Sequence, residues 1–211
     1  MPNIKDLRYR EFLDTGLINV VTKQEFELAL SKIENKHTKE SRMLCTLLYY
    51  SGRRPSEILE LQGKDLSKEG NKLRIIFKTK KKGTPSILFF PLSNPYFKEL
   101  LEYWQHIFES QWLFFNFRSI RQNKVKYAKK DGETITKVYE RTTLKVYYWV
   151  KKWFDFTPYV LRHSRFSVAS MKGFNIKEIM YLKGSKDERS VFNYLHLSPQ
   201  KAKRLSKLFK D

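Results

Sequence analysis

The chain has 211 residues, which suits one sizeable domain or two small ones. It is 41% apolar and 15% aromatic, and this excludes a disordered chain. Its 42 Lys and Arg against 22 Asp and Glu leave a net charge of +20. A folded domain with that excess usually meets a polyanion, with nucleic acid first and an anionic membrane surface second.

Residues 1–20 read as a leader or linker remnant. "VVTKQEFELALSKI" opens the first helix, with Thr22 as cap and Glu25 completing a capping box. "ESRMLCTLLYYSG" reads as a largely buried helix ending at Gly52, and "PSEILELQ" as a short helix with Pro55 in its first turn. "KLRIIFK" and "SILFFPL" predict a β-hairpin joined by "TKKKGTP". "NPYFKELLEYWQHIFES" predicts an amphipathic helix, and "WLFFNF" a strand. Residues 118–141 are polar and basic and read as an exposed loop or hairpin turning at "KKDGET". Helices follow over about 142–155, 158–172, 175–182 and 187–196. The basic segment 198–211 predicts a last helix, with Ser198 as cap and Pro199 in its first turn. The class is mostly α with one small antiparallel sheet.

Cys45, the single cysteine, lies in the apolar run "MLCTLLYY" and reads as a small core residue of a reducing compartment. The four histidines show no metal-ligand spacing. No apolar run approaches membrane-spanning length, and "MPNIKDLRYREFLD" has no signal-peptide apolar region, so an intracellular location is expected.

Four stretches carry chemistry. In "YYSGRRPSEILEL" a helix starts directly after two arginines, so its free N–H groups and the guanidiniums together suit a phosphate. Glu57, one turn on, is placed to hold an arginine; a plain surface turn is the alternative. In the hairpin, Lys80, Lys81 and Lys82 suit a DNA groove or backbone, or simply solvent. Lys78 ends an apolar strand. "TPYVLRHSRFSVASMKG" puts Arg162, His163 and Arg165 on an otherwise apolar helix, which suits a phosphate in a cleft or a solvated stripe. In "KGSKDERSVFNYLHLS", Tyr194 is one of twelve tyrosines and means little alone.

The order Arg54, Lys78, Arg162, Tyr194, with gaps of 24, 84 and 32 residues, resembles the catalytic domain of the tyrosine recombinases, the phage-integrase and Xer-type family. The resemblance covers about residues 21–211, one domain with 118–141 as a basic insert. "GRRPSEI" is similar to the family's "GLRxSEL", "RIIFK" to its lysine-bearing hairpin, "YVLRH" to "HxLRH", and "LKGS…NYLH" to the "LGH" turn before the nucleophile. Two positions depart: Tyr159 stands where the family has its first histidine, and Ser185, with Lys186 beside it, where it has the "LGH" histidine. Such substitutions resemble integrases of archaeal viruses or plasmids.

The resemblance implies site-specific DNA cleavage and rejoining through a 3′-phosphotyrosyl link, without metal, nucleotide or other cofactor. Arg54 and Arg162 would bind the non-bridging oxygens, Lys78 would protonate the leaving oxygen, and Tyr194 would attack. Tyr159 would donate a hydrogen bond to the phosphate, His163 would position, and Ser185 and Lys186 would support. At the hairpin tip Lys80, Lys81 and Lys82 would meet the DNA, and Arg165 would be a helix-face or DNA-backbone residue. The implied partners are double-stranded DNA attachment sites and further copies of the chain, four on synapsed DNA. In this family a C-terminal tail often packs on a neighbouring protomer, and Ala202, Leu205, Leu208 and Phe209 lie near one face of the last helix; packing on its own domain is the alternative. The rival readings are a type IB topoisomerase-like relaxing domain, a catalytically weakened DNA-binding protein and a basic membrane-surface protein.

Overall fold

The computed structural model describes residues 20–34, 38–78, 85–117, 143–155, 157–185, 187–192 and 194, with the backbone of 122–128 and 134–140. Helix α1 (Lys23–Ser31) begins with the expected capping box: Thr22 Oγ1 accepts from the Glu25 N–H at 3.1 Å, and the Glu25 carboxylate accepts from the Thr22 N–H at 2.9 Å. Helix α2 (Thr38–Ser51) carries the apolar run Met43–Leu48, interrupted only by Thr46, and buries Met43, Leu44, Cys45, Leu47 and Leu48 at the centre of the larger core. Helix α3 (Pro55–Leu59) follows after three residues, with Pro55 in its first turn as expected.

The sheet has three strands rather than the expected two. Strands β1 (Leu66–Glu69), β2 (Lys72–Phe77) and β3 (Ser86–Pro91) are antiparallel in the order β1-β2-β3. In β2, Leu73, Ile75 and Phe77 alternate inward, and Lys78 follows at the strand's end. The short strand β1, "LSKE", buries only Leu66 and carries no alternating apolar signal. Its signature was the two-residue turn Gly70–Asn71, where Gly70 adopts φ +55° between the paired Glu69 and Lys72.

Helix α4 (Pro95–Trp104) ends six residues before the sequence expectation. "WLFFNF" is not a strand: Trp112 makes one isolated bridge to Gln62, and Phe115–Phe117 form a 3-10 turn. Leu113, Phe114 and Phe117 fill the core as a plug while Phe115 is exposed, and the alternation needed for a strand is missing. Within the basic insert, strands β4 (Gln122–Ala128) and β5 (Thr134–Glu140) pair as an antiparallel hairpin.

Helices α5 (Leu144–Phe154), α6 (Pro158–Met171) and α7 (Ile176–Lys183) fall within one or two residues of expectation. Among the described residues helix α8 is Arg189–Phe192, starting two residues later than the helix expected over 187–196; residues 193, 195 and 196 lie outside the described residues. Residues 1–19, 79–84 and 195–211 lie outside the described residues, and with them the leader, Lys80, Lys81, Lys82 and the C-terminal segment; so does Lys186. Among the described residues no helix is long and apolar enough to cross a membrane.

Helix α6 packs on α2, and the close approach is made at Gly52. Its φ is +62°, and a Cβ there would stand 3.0 Å from the Phe166 ring and 3.2 Å from Arg165 Cβ, so only glycine fits. The core divides in two. The larger part lies around α2. The smaller joins Phe166 and Ala169 of α6, Ile179 of α7, Val191 of α8 and Tyr194.

Candidate active site

The α2–α3 turn, α6 and the chain after α8 meet at one place. Arg54 is the N-cap residue of α3. Glu57, 1% exposed, accepts from the Arg54 backbone N–H at 2.9 Å and from Arg54 Nη1 at 3.0 Å. The Arg54 side chain is thereby fixed at one edge while 40% of it stays accessible.

Arg162 lies on the buried face of α6, 4% exposed. Its Nη1 donates to the Gly52 carbonyl and its Nη2 to the Lys183 carbonyl at 3.1 Å. One guanidinium thus ties the turn that carries Arg54 to the end of α7. Burial pushes the Arg162 pKa down to about 10, with Arg54 and Arg53 acting the same way and Glu57 and Tyr194 opposing them. It stays charged at neutral pH, with N–H groups to spare for a further acceptor.

Tyr194 is 7% exposed. The Phe166 ring meets it edge-on at 5.2 Å, and its hydroxyl hydrogen-bonds His163 Nδ1. Lys183 Nζ stands 5.3 Å from the centroid of the Tyr194 ring and donates to the Ser190 carbonyl. Burial raises the Tyr194 pKa, and Arg162 acts against it without cancelling it. Burial, then Arg162 and Arg54, lower that of Lys183.

The other anticipated residues are distributed as follows. Lys78 Nζ contacts Asp65 at 2.9 Å, and half of its side chain is exposed. Asp65 also accepts from the Gln62 N–H at 2.9 Å, so one carboxylate caps the 3-10 turn Gly63–Asp65 and holds the lysine. Tyr159 is 44% exposed and its ring lies against Tyr147 of α5 at 5.9 Å. Ser185 bonds Ser190 Oγ at 3.0 Å and accepts from the Asp187 N–H, fastening the turn before α8. Arg165 is half-buried beside Gly52, near Tyr49 and Tyr50, and burial lowers its pKa. The structure therefore gathers Arg54, Glu57, Arg162, His163 and Tyr194, and sets Lys78 with Asp65 and Tyr159 with Tyr147.

Sequence reasoning missed Asp65, Lys183 and Arg53. The "GKD" turn held a signal for Asp65, an acidic cap three residues after Gln62. Arg53 is wholly buried over the Phe77 ring, and its Nη2 donates to the Tyr181 carbonyl at 3.2 Å. Its Nε and Nη1 have no hydrogen-bond partner among the described residues. A buried cation with unpaired donors costs stability. Arg53→Met, of similar length, is expected to raise Tm by about 2–6 °C, from roughly 1–2 kcal/mol. A fall in Tm in a thermal melt refutes this.

Glu57 has the opposite sign. It is the buried carboxylate facing Arg53, Arg54 and Arg162. Glu57→Gln keeps the shape and removes the charge. The expected loss is about 2–4 kcal/mol, below the full value for a buried pair because Arg54 is partly solvated. Denaturant titration reads it; an unchanged midpoint would show that solvent already screens the cations.

The overall architecture is the catalytic-domain fold of the tyrosine recombinases. A XerH site-specific recombinase, solved in a pre-cleavage complex with its difH substrate, is similar over 91% of this chain and 55% of that one, with a TM-score of 0.62 at 18% identity. XerA recombinase is similar over 91% of this chain and 64% of that one, TM-score 0.59 at 13% identity. The catalytic domain of bacteriophage HP1 integrase is similar over 89% of this chain and 93% of that one, TM-score 0.50 at 17% identity. The chain spans about half the length of the XerH protein. Comparison with curated proteins gave no match. Residues 19–201 match the phage integrase family, and the chain belongs to that family.

Proposed function

We propose that the protein is a site-specific DNA recombinase that cleaves and rejoins duplex DNA through a 3′-phosphotyrosyl link on Tyr194, without metal or ATP. The observation that carries this reading is the junction of Arg54, Arg162 and Tyr194. Arg162 bonds the Gly52 carbonyl two residues before Arg54, and Arg54 and Tyr194 are both close enough to perturb it.

A phosphodiester repels an attacking phenolate, and more negative charge develops on its oxygens in the transition state. Arg54 and Arg162 bind the two non-bridging oxygens with donors fixed in advance by Glu57, the Gly52 carbonyl and the Lys183 carbonyl. The Tyr194 oxygen attacks phosphorus and the 5′-oxygen leaves. Lys78 supplies the proton to that oxygen after parting from Asp65. Tyr159, solvent-accessible on α6, donates to the phosphate. Ser185 supports the turn that carries Tyr194. Lys80, Lys81, Lys82 and Arg165 hold the DNA backbone, and Lys186 assists at the site. The link conserves bond energy, so a second strand's 5′-hydroxyl reverses it.

The reaction takes place inside the host cell, on attachment-site DNA, with four protomers on two duplexes. The substitutions at Tyr159 and Ser185 favour a mobile element of the archaeal virus or plasmid kind. A groove of about 620 Å³ between α6 and α7, lined by Leu88, Val168, Ala169, Phe174, Ile179 and Leu182, suits the apolar face of a neighbour's C-terminal segment.

A nicked duplex bearing the attachment site tests the proposal. The nick lets the short cleaved fragment diffuse away and traps the intermediate. A protease-sensitive protein–DNA adduct on a denaturing gel is the expected result. Tight binding of that duplex with no adduct overturns it in favour of a binding protein.

A further inference from the structure

The nucleophile needs a proton acceptor, because a phenol of ordinary pKa near 10 is almost wholly protonated at neutral pH. Burial raises the Tyr194 pKa further, so the nearby guanidinium of Arg162 does not ionise the phenol by itself. The sequence places a tyrosine, Tyr159, where a histidine would have been expected ahead of Arg162, and a phenol is a poor base. Tyr159 also lies against Tyr147 and makes no described contact with Tyr194.

The group that does touch the Tyr194 hydroxyl is the histidine on the other side of the arginine. We infer that His163, through Nδ1, is the catalytic base that takes the Tyr194 proton, a step resting on the recombinase reading above.

Three observations support the assignment. His163 Nδ1 and the Tyr194 oxygen are hydrogen-bonded directly, with the rings 5.3 Å apart. In the tautomer that carries its proton on Nε2, Nδ1 accepts from the phenol, and this is the form the proton transfer uses. The Tyr194 ring is fixed by the Phe166 edge and by Lys183 over its face, so its hydroxyl has one well-defined direction. The described titratable and charged groups around His163 are Arg162 beside it on α6, Lys183 at the end of α7, Tyr194 after α8, and Tyr159 one turn earlier on its own helix. Partial burial, Arg162 and Lys183 hold the His163 pKa below its ordinary value, so the ring is neutral and basic at pH 7.

The step balances. The Tyr194 proton passes to His163 Nδ1 while the phenolic oxygen bonds phosphorus. The P–O5′ bond breaks with its electron pair on the 5′-oxygen, which Lys78 protonates. On rejoining, the 5′-hydroxyl passes its proton to the now neutral Lys78 as it attacks, the Tyr194 oxygen leaves, and His163 returns the proton to it.

The test uses a duplex with sulfur in place of the bridging 5′-oxygen. A thiolate leaves without a proton, so the rate of adduct formation reports the nucleophile's side alone, free of Lys78. His163→Asn keeps a hydrogen-bonding atom near Nδ1 and removes the base. For the wild type, the rate is expected to rise with pH as His163 loses its proton, below about pH 6.5, and to level off at neutrality. For His163→Asn it falls by about 10²–10³-fold at pH 7 and keeps climbing toward the phenol's own range. Imidazole added to His163→Ala restores part of the rate, which a purely structural role does not allow. An Asn variant with the wild-type rate and profile overturns the inference, and so does an Ala variant that binds DNA normally but ignores imidazole. Wild-type protein that binds its site and forms no adduct on this substrate removes the recombinase reading, and the proton step with it.

Discussion

Tyr194→Phe removes all covalent adduct while leaving affinity for duplex DNA within about twofold. The substitution deletes one oxygen. The ring keeps its edge contact with Phe166 and its place beneath Lys183, so the small core of Phe166, Ala169, Ile179 and Val191 stays filled. What is lost in stability is one hydrogen bond to His163, worth about 0.5–1.5 kcal/mol. In the proposed reading affinity rests on the basic surface meeting phosphates, which one phenolic oxygen does not alter. The prediction therefore separates binding from bond formation. A filter-binding curve and a denaturing gel on the same samples check it. Residual adduct would transfer the nucleophile to another side chain, and a large loss of affinity would mean that the substitution had disturbed the fold.

Arg162→Lys lowers the rate of adduct formation by about 10²–10³-fold with little change in binding. In the proposed reaction this arginine serves as both strut and catalyst. Two of its N–H groups hold the Gly52 and Lys183 carbonyls, and the proposed reaction calls on its remaining N–H groups for the phosphate. A lysine ammonium is a single point with three donors on a flexible stem and cannot span both carbonyls and a phosphate oxygen. The turn carrying Arg54 and the end of α7 then lose their common tie. Single-turnover measurements with DNA in excess of Kd check the rate, and thermal melts separate the structural part. A variant within about tenfold of wild type would show that Arg54 alone neutralises the phosphate.

Both effects stem from residues whose positions were legible before their surroundings were. The capping box at Thr22 and Glu25 and the prolines opening α3 and α6 act over three or four residues, and so do the apolar periods of α2 and β2. Sequence alone therefore placed most elements correctly and put Arg54 at a helix start, Glu57 one turn on, and Arg162 on an apolar helix. Strand β1 was lost because a four-residue polar edge strand has almost no pattern of its own. "WLFFNF" was misread because a run of aromatics looks alike as a strand or a plug, and its neighbours decide between them.

Pairings between distant segments belong to the tertiary structure. His163 and Tyr194 are 31 residues apart in sequence. Only the packing of α6 against α7 and α8, around Phe166 and Val191, brings Nδ1 to the phenol. Arg53 and Arg54 are adjacent in sequence and of one chemical type, yet one is sealed over Phe77 and the other is open to solvent along one edge. Lys183 reads as an ordinary last-turn lysine, but the turn through Gly184 and Ser185 brings it over the Tyr194 ring. Local propensity and turn chemistry are short-ranged and were written in the residues themselves. Burial, desolvation and charge proximity are properties of the assembled core, and they determined which of these side chains are sealed as struts and which stay accessible along an edge.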